Sequence, residues 1–540
     1  MIQEWIQECQ NAHPNCNTDN SSILPSRLID VGGKHSPLLP HLVITEIGTS
    51  TIGPYCALSY CWGQTTIGVK AVGANLSMQC LQIDAGACPK TLHDAMIITR
   101  NLGVQYLWID ALCIIQDDPL DWEKESAKMA SIFKNAYLTI AASSVADCNG
   151  GCFLNSLKPS RICKQVLGEP GSSSYCTTFV RSSVLASAPI NSDPLNKRGW
   201  TLQETLLSTR VLHFTADQVF WQCRTRLTSE DGTHDRDLSA LTLDNLNGKR
   251  LPWHAISTHK LRTDKDIYQT WYMTARNYSS RKLTYPSDKV AAFAGLTKYF
   301  QELNGDCSIL GLWKKDIIRQ LAWRAPDTVD VSRNDFLLSW SWLSMNTSCD
   351  PPAFEIGNNP TYAAEVVLAD IQWSGESLTS TLKASRLVLK GRLCTMQIAY
   401  HDGRRYDTAD DTHFQAVYIQ PLNTPMGHFR TQLDPWVADP TDRTTTEYYF
   451  DENVWRKTPR GGRSRVFTPV GTGVITFLLL AEKNEEHNME LMLLLELFSK
   501  IPRVYRRIGV GVHIHRNYFR QDCDAMECFK DMKETFICLQ

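Results

Sequence analysis

No Cys-x-x-Cys pair occurs in the chain, and neither does a GxxxxGK[ST] phosphate loop, a clean GxGxxG turn, an HExxH helix or a GxSxG elbow. These absences remove the main support for zinc-knuckle, thioredoxin, nucleotide-kinase, dehydrogenase, zinc-protease and lipase chemistry. An excess of one charge is also missing. Lys and Arg number 55 against 57 Asp and Glu, a net charge of −2, so no global positive field exists to hold nucleic acid and no nucleic-acid partner is expected. The longest largely apolar stretch, Val474 to Ala481 with Thr476 inside it, falls far short of the ~20 residues of a membrane span. The opening residues MIQEWIQECQNAHPNC carry charges and no hydrophobic signal region. The expectation is a soluble, cytoplasmic chain with no membrane partner. No internal repeat of fixed period is visible.

What is present is ordinary globular composition. Hydrophobic residues make up 43% and charged residues 21% of 540 residues, which excludes a disordered or collagenous chain and predicts two or three folded modules. The 18 cysteines are too sparse for a disulfide scaffold and read as thiols, most of them small buried hydrophobes.

Near the start, Trp5, Cys9, His13 and Cys16 recur at steps of four, four and three, which predicts one helical face. Cys9-x3-His13-x2-Cys16 offers three metal ligands, but Pro14 disturbs the last turn and no fourth ligand lies nearby in sequence. The segment therefore reads as a packed helix end, and no metal is expected.

From Tyr55 onward, β-branched and aromatic runs alternate with helical stretches. YCALSYCWG reads as a strand ending in an aromatic-glycine loop, and Lys90 to Leu102 as a helix stopped by Gly103. YLWIDALCII reads as a continuous buried strand, Asp121 to Asn135 as a helix capped by Asp121, and AYLTIAASS as a third strand. Strand, helix, strand, helix, strand predicts a parallel α/β sheet, which VLHFT and QVFWQC extend. The Ser-, Gly- and Pro-rich stretch 148–194 reads as an insertion. The expected divisions are an N-terminal segment 1–40, an α/β domain 41–235, a mainly helical region 236–380 and a β-rich module 381–540. Within that module, 402–412 and 456–465 read as charged loops. His513-x-His515 with Cys523-x4-Cys528 has the wrong spacing for a zinc knuckle.

Three blocks carry a family resemblance. They are Tyr55-x-Ala57-Leu58-Ser59-Tyr60-x-Trp62-Gly63, then Tyr106-Leu107-Trp108-Ile109-Asp110-Ala111-Leu112-Cys113-Ile114-x-Gln116-Asp117-Asp118, then Arg198-Gly199-Trp200-Thr201-Leu202-Gln203-Glu204. In this order they resemble the signature blocks of the fungal heterokaryon-incompatibility (HET) domain. The likeness is dense to about residue 345 and thin beyond it. It implies an effector of fungal non-self recognition and cell death, with a homo-oligomer or a HET-interacting protein as partner. The HET domain is also suspected to be a distant relative of the TIR domain, which implies a flavodoxin-like parallel sheet and NAD as a candidate substrate, with no prosthetic group.

In an open parallel sheet, ligands bind beyond the carboxyl ends of the strands. Those ends deliver Ser59, Tyr60, Trp62 and Gly63, then Asp110 and Cys113, then Ser143 and Ser144. Tyr60 and Trp62 beside Gly63 offer a surface for stacking an adenine or nicotinamide ring, or Trp62 simply plugs the sheet edge. Cleaving the nicotinamide–ribose bond needs a carboxylate near an oxocarbenium-like transition state. Trp122-x-x-Glu125 resembles the Trp-containing acidic helix of TIR NADases, with a spacing one residue shorter, so Glu125 is the candidate catalytic carboxylate. On an ordinary reading it pairs with Lys128. Asp110 is a second catalytic candidate, binding ribose hydroxyls or else capping a loop amide or pairing with Arg198. Gln116 and Asp117 could orient substrate or cap the next helix. Thr201 and Glu204 have capping-box spacing, so Arg198 and Trp200 sit at a helix start that could cradle a diphosphate. Two other readings stay open: a HET-like enzyme acting on a small molecule in a biosynthetic pathway, and a non-catalytic signalling module.

Overall fold

A computed structural model describes residues 1–17, 24–34, 39–45, 53–63, 68–153, 162–167, 176–181, 190, 193–238, 263–325, 334, 336–350, 361–401, 416–420, 427–433, 469–483, 489–500, 502–514, 529 and 532–540. The chain divides into two compact units. The first comprises Met1–Thr274, Arg281–Asn304 and Gly375–Ser380, and the second comprises Ala275–Ser280, Gly305–Ser374 and Thr381–Gln540.

The first unit opens with helix α1 (Ile2–Ala12) and strands β1 (Arg27–Asp30), β2 (His41–Ile44) and β3 (Tyr55–Ser59). Helices α2 (Leu76–Leu81) and α3 (Lys90–Asn101) lead to strand β4 (Tyr106–Trp108), the single-turn helix α4 (Asp110–Cys113), helix α5 (Pro119–Asn135) and strand β5 (Leu138–Ala141). An antiparallel hairpin of β6 (Ile162–Leu167) and β7 (Cys176–Arg181) occupies the predicted insertion as a separate two-stranded sheet. Helix α6 (Trp200–Leu207) and strands β8 (Arg210–Phe214), β9 (Val219–Cys223), β10 (Arg226–Ser229) and β11 (Asp235–Asp237) follow. Helices α7 (Asp264–Ser279) and α8 (Ala291–Asn304) come next.

The main sheet has nine strands in the order β11-β10-β9-β8-β5-β3-β4-β1-β2. Only β4, β3, β5 and β8 run parallel. Taken alone, these four have the sequence order 2-1-3-4. The outer strands join antiparallel, so the sheet is mixed where the sequence pattern predicts a parallel one. The reason is connection length: β8 and β9 are separated by too few residues for a crossover, so they can only form a hairpin.

The central strands read as unbroken apolar runs because both faces are covered. Every residue of β3 and of β5 is buried. The crossovers β3-α3-β4 and β4-α5-β5 run in opposite directions along the sheet, and the right-handed rule places α3 and α5 on opposite faces. Helix α3 ends as predicted, with Gly103 at φ 78° just past its last residues.

Two local expectations change. YLWIDALCII is not one strand: extended backbone stops after Trp108, and Asp110 starts the turn α4. Apolar runs of this length do not distinguish a strand from a buried helical turn. Helix α5 is capped by Asp118 and not Asp121. The Asp118 carboxylate accepts from the Leu120 and Asp121 amides, with Pro119 at the first helical position. Asp121 is thereby free to bind Arg27, with Nη2 2.7 Å from Oδ1.

The second unit is β-rich. It contains the short pair β12 (Ser308–Ile309) and β13 (Leu312–Trp313), then β14 (Thr361–Tyr362), β15 (Glu365–Trp373), β16 (Leu382–His401), β17 (Ala416–Gln420), β18 (Gly427–Leu433), β19 (Pro469–Lys483), β20 (Met489–Lys500), β21 (Arg503–Ile514) and β22 (Glu534–Leu539). Pairings run β16-β19-β20-β21-β18-β17 and return to β16, closing a ring of six strands without an open edge. Arg507 is fully buried there. Its guanidinium lies 3.5 Å above the Trp323 ring and donates to the Leu321 carbonyl at 3.1 Å. The predicted charged loops 402–412 and 456–465, with His515, Cys523 and Cys528, lie outside the described residues.

Candidate functional site

The carboxyl ends of β3, β4 and β5 meet the start of α6, and side chains from three of these elements converge. Trp62, just past β3, donates its indole Nε1–H to Asp110 Oδ2 at 2.8 Å. Asp110 Oδ1 accepts from the Ala111 amide at 2.6 Å. Arg198, ahead of α6, donates from Nη1 to the Tyr60 carbonyl at 2.7 Å. Ser59, the last residue of β3, donates to Glu204 Oε2 at 2.5 Å. Trp62, Asp110 and Arg198 are half-buried, whereas Ser59, Tyr60 and Glu204 lie beneath them in the core. A polar floor thus supports an aromatic and charged rim.

Burial pushes the Asp110 carboxyl above its ordinary range, opposed by the Trp62 and Ala111 hydrogen bonds and by the nearby Arg198 charge. The Tyr60 phenol is pushed well up by burial and by the neighbouring Asp110, and its hydroxyl has no hydrogen-bond partner among the described residues. Glu204 titrates at about 7, raised chiefly by burial. A buried carboxylate poised near neutrality is what proton transfer at physiological pH requires.

Other predicted residues are placed as follows. The Cys113 thiol is buried and pushed up to about 12, which leaves it inert as a nucleophile. Gln116 donates to the Asp110 and Ile114 carbonyls and so braces the turn that carries Asp110. Asp117 is exposed and accepts from the Gly73 amide at 2.9 Å. Trp200 donates to Asp288 at 3.2 Å and meets Trp122 edge-on at 6.2 Å. Gly63 has φ 75°, and a Cβ there would sit 2.3 Å from the Asp147 Cβ, so the close approach it permits is to the chain at 146–147. Glu125 belongs to a different network. It is buried, and its Oε1 accepts from Ser26 Oγ at 2.7 Å and Lys128 Nζ at 2.9 Å.

The predicted capping box is not formed. Thr201 Oγ1 donates to the Leu195 and Arg198 carbonyls, and Glu204 points at Ser59 instead of back along its helix. The signal for this is present in the sequence: in WTLQETLL the glutamate falls among leucines, and a carboxylate on an apolar helix face must find an internal partner. Next to this floor, Ser143 Oγ lies 3.2 Å from His213 Nδ1, and His213 Nε2 lies 2.8 Å from Gln222 Oε1. All three are buried. Burial lowers the His213 pKa to about 4, so the ring is neutral at pH 7 and serves as an internal hydrogen-bond link.

The Glu204 shift predicts a pH dependence. Below its ordinary value of 4.5 both the folded and the unfolded chain hold the proton. Between 4.5 and about 7 the unfolded chain ionises while the folded one does not, so stability from this group falls as pH rises and levels off above 7. Glu204→Gln keeps the acceptor for Ser59 and removes the charge. The expected result is a gain over the parent of order 3 kcal/mol at pH 8 that vanishes near pH 4, read from denaturant titrations. A difference independent of pH would refute this assignment.

Away from this rim, the described residues include one group suited to a metal ion: Cys9, His13, Cys16 and Cys223 hold their ligand atoms within 4.8 Å of one another. No helix among the described residues is long and apolar enough to cross a membrane. No curated protein and no solved structure matches the chain. Residues 55–204, which run from the first residue of β3 to the buried carboxylate of α6 and contain all the rim residues, match the family "Heterokaryon incompatibility protein (HET)".

Proposed function

We propose that the protein is a heterokaryon-incompatibility effector of non-self recognition and cell death, whose HET domain hydrolyses the N-glycosidic bond of NAD. The reading is carried by the Trp62–Asp110 pair at the carboxyl ends of β3 and β4. The parallel strand order 2-1-3-4 is that of flavodoxin-like sheets, in which ligands sit where the order reverses, between β3 and β5. Trp62 supplies a flat face for a ring, and the Arg198 guanidinium lies beside it for the diphosphate. Asp110 faces the ribose and stabilises the cation that develops as the bond from C1′ to the nicotinamide nitrogen breaks. Neutral nicotinamide leaves with the bonding pair. A water molecule adds its oxygen to C1′, and its proton passes through the Glu204 and Ser59 pair to solvent. Of the two predicted carboxylates, this geometry favours Asp110, half-buried at the rim, over Glu125, which is 1% exposed and paired with Lys128 in a separate network.

The test is release of nicotinamide from NAD by the purified full chain. Asp110→Asn and Trp62→Ala should each lower the rate about a hundredfold or more, the scale seen when a preorganised transition-state partner is removed. Glu125→Gln should leave the rate within a fewfold of the parent. No release by the parent at high protein concentration would end the NAD reading. Loss of activity in Glu125→Gln alone would move the catalytic carboxylate to α5.

A further inference from the structure

We propose that Cys9, His13, Cys16 and Cys223 form a tetrahedral Zn²⁺ site that fastens the N-terminal helix to the sheet. The four side chains are buried, and His13 Nδ1 lies 3.4 Å from Cys223 Sγ. For Zn–S bonds of about 2.3 Å, neighbouring ligand atoms in a tetrahedron lie roughly 3.8 Å apart, so a group confined within 4.8 Å needs only small side-chain movements to close on the ion. Three cysteines and one histidine with no open position make a structural site.

The local geometry explains how a broken motif converges. Helix α1 stops at Ala12, His13 leaves the helix with φ −112° and ψ 86°, and Pro14 opens a single 3₁₀ turn that ends on Cys16. The proline therefore brings Cys16 round towards Cys9, where a continued helix would have carried it away. Trp5, Cys9, His13 and Cys16 therefore do not share one helical face, the arrangement their spacing alone predicts. The fourth ligand arrives from the last residue of β9, which pairs with Arg210 at the amino end of β8. This is the sheet edge opposite the Trp62 rim. Trp5 packs beside it against Trp221, ring centroids 6.4 Å apart.

Electrostatics point the same way. Arg210 is 4% exposed and pairs with no carboxylate among the described residues. Its Nε donates to Cys9 Sγ at 3.3 Å and its Nη2 to the Cys16 carbonyl at 2.8 Å. The Arg226 amide donates to Cys223 Sγ at 3.3 Å. Donors of this kind around sulfur are the usual outer hydrogen bonds of metal-bound thiolates. Three thiolates and one neutral imidazole on Zn²⁺ carry a net charge of −1, which the Arg210 guanidinium cancels. Three neutral thiols would leave that buried cation unbalanced. On binding, Cys9, Cys16 and Cys223 each lose a proton to solvent, His13 gives its ring lone pair, and the ion sheds water.

Elemental analysis of the purified full chain should find one zinc per molecule, released to a colorimetric chelator when an organomercurial caps the thiols. Exchange for Co²⁺ should give the visible bands of tetrahedral cobalt with thiolate-to-metal charge transfer. Cys223→Ser and Cys16→Ser should lose the equivalent, and Cys152→Ser, a buried cysteine elsewhere in the unit, should keep it. Because the ligand variants could fail to fold, the decisive readings are on the parent. Parent chain that holds no zinc and takes up no Co²⁺ under reducing conditions overturns the proposal, as does a disulfide among Cys9, Cys16 and Cys223 in thiol titration.

Discussion

Replacing Asp121 with alanine should lower the stability of the first unit by about 3–5 kcal/mol, the usual loss when one member of a buried ion pair is removed. Arg27 on β1 and Asp121 in the first turn of α5 have side chains only 10% and 13% exposed. The guanidinium Nη2 reaches both carboxylate oxygens at 2.7 and 2.5 Å, and Nε donates to the Cys113 carbonyl at 2.6 Å. Asp121 Oδ2 also accepts from the Ile115 amide at 2.8 Å. One charge pair thus holds the last turn of α4, the connecting residues and the start of α5 against the antiparallel strand β1. Without Asp121 the guanidinium stays buried with, among the described residues, only the Cys113 carbonyl to face. Arg27→Ala should be comparably harmful, whereas Arg27→Met combined with Asp121→Leu should recover most of the loss, because desolvation of both charges is removed together. Denaturant titration of the three variants decides the matter. Additive losses in the double variant would show that the two side chains do not act as a pair.

Gly63→Ala should cost about 2–5 kcal/mol, from two sources that a comparator separates. The left-handed backbone at φ 75° costs an alanine roughly 1–2 kcal/mol. The added methyl would lie 2.3 Å from the Asp147 Cβ and 3.0 Å from its Cα, so either chain must move, and overpacking of this kind costs typically 1–3 kcal/mol more. Gly232 has φ 70°, but a methyl added there would meet no atom within 4 Å, so Gly232→Ala should show only the conformational part. Melting curves of the two variants test the difference. Equal shifts would mean that the 146–147 chain yields freely. Since Gly63 follows Trp62 directly, the same movement should also displace the indole from Asp110, and Gly63→Ala should weaken any ligand binding at the rim beyond its effect on stability.

The central architecture is readable in the sequence because it depends on local periodicity. Apolar runs at Tyr55, Tyr106 and Leu138 alternate with helical patterns, and that alternation forces parallel pairing, since each strand must be carried back by a crossover. The pattern leaves Asp110 inside one continuous strand, which the fold breaks after Trp108, but the positions of Ser59 and Trp62 at the end of β3 do follow from it. The contact between Trp62 and Asp110 does not, because a hydrogen bond between residues 48 apart leaves no periodic trace. Spacing assigns Glu204 to the nearest available partner, Thr201, whereas its real partner Ser59 lies 145 residues away. Lys128 beside Glu125 is legible because it is a one-turn neighbour. Ser26, which completes that network, is not.

By itself the sequence marked the central strands and most of their helices, the three blocks that resemble the HET family, and the β-rich character of the chain beyond about residue 380, all of which depend on neighbours in the chain. Tertiary structure alone decided which carboxylate faces which donor, where the sheet turns antiparallel, and that Cys223 completes the group begun by Cys9, His13 and Cys16. The physical reason is common to all three. Burial strips water from polar groups, and the partner that replaces it is chosen by proximity in the folded sheet, across separations at which sequence spacing carries no information.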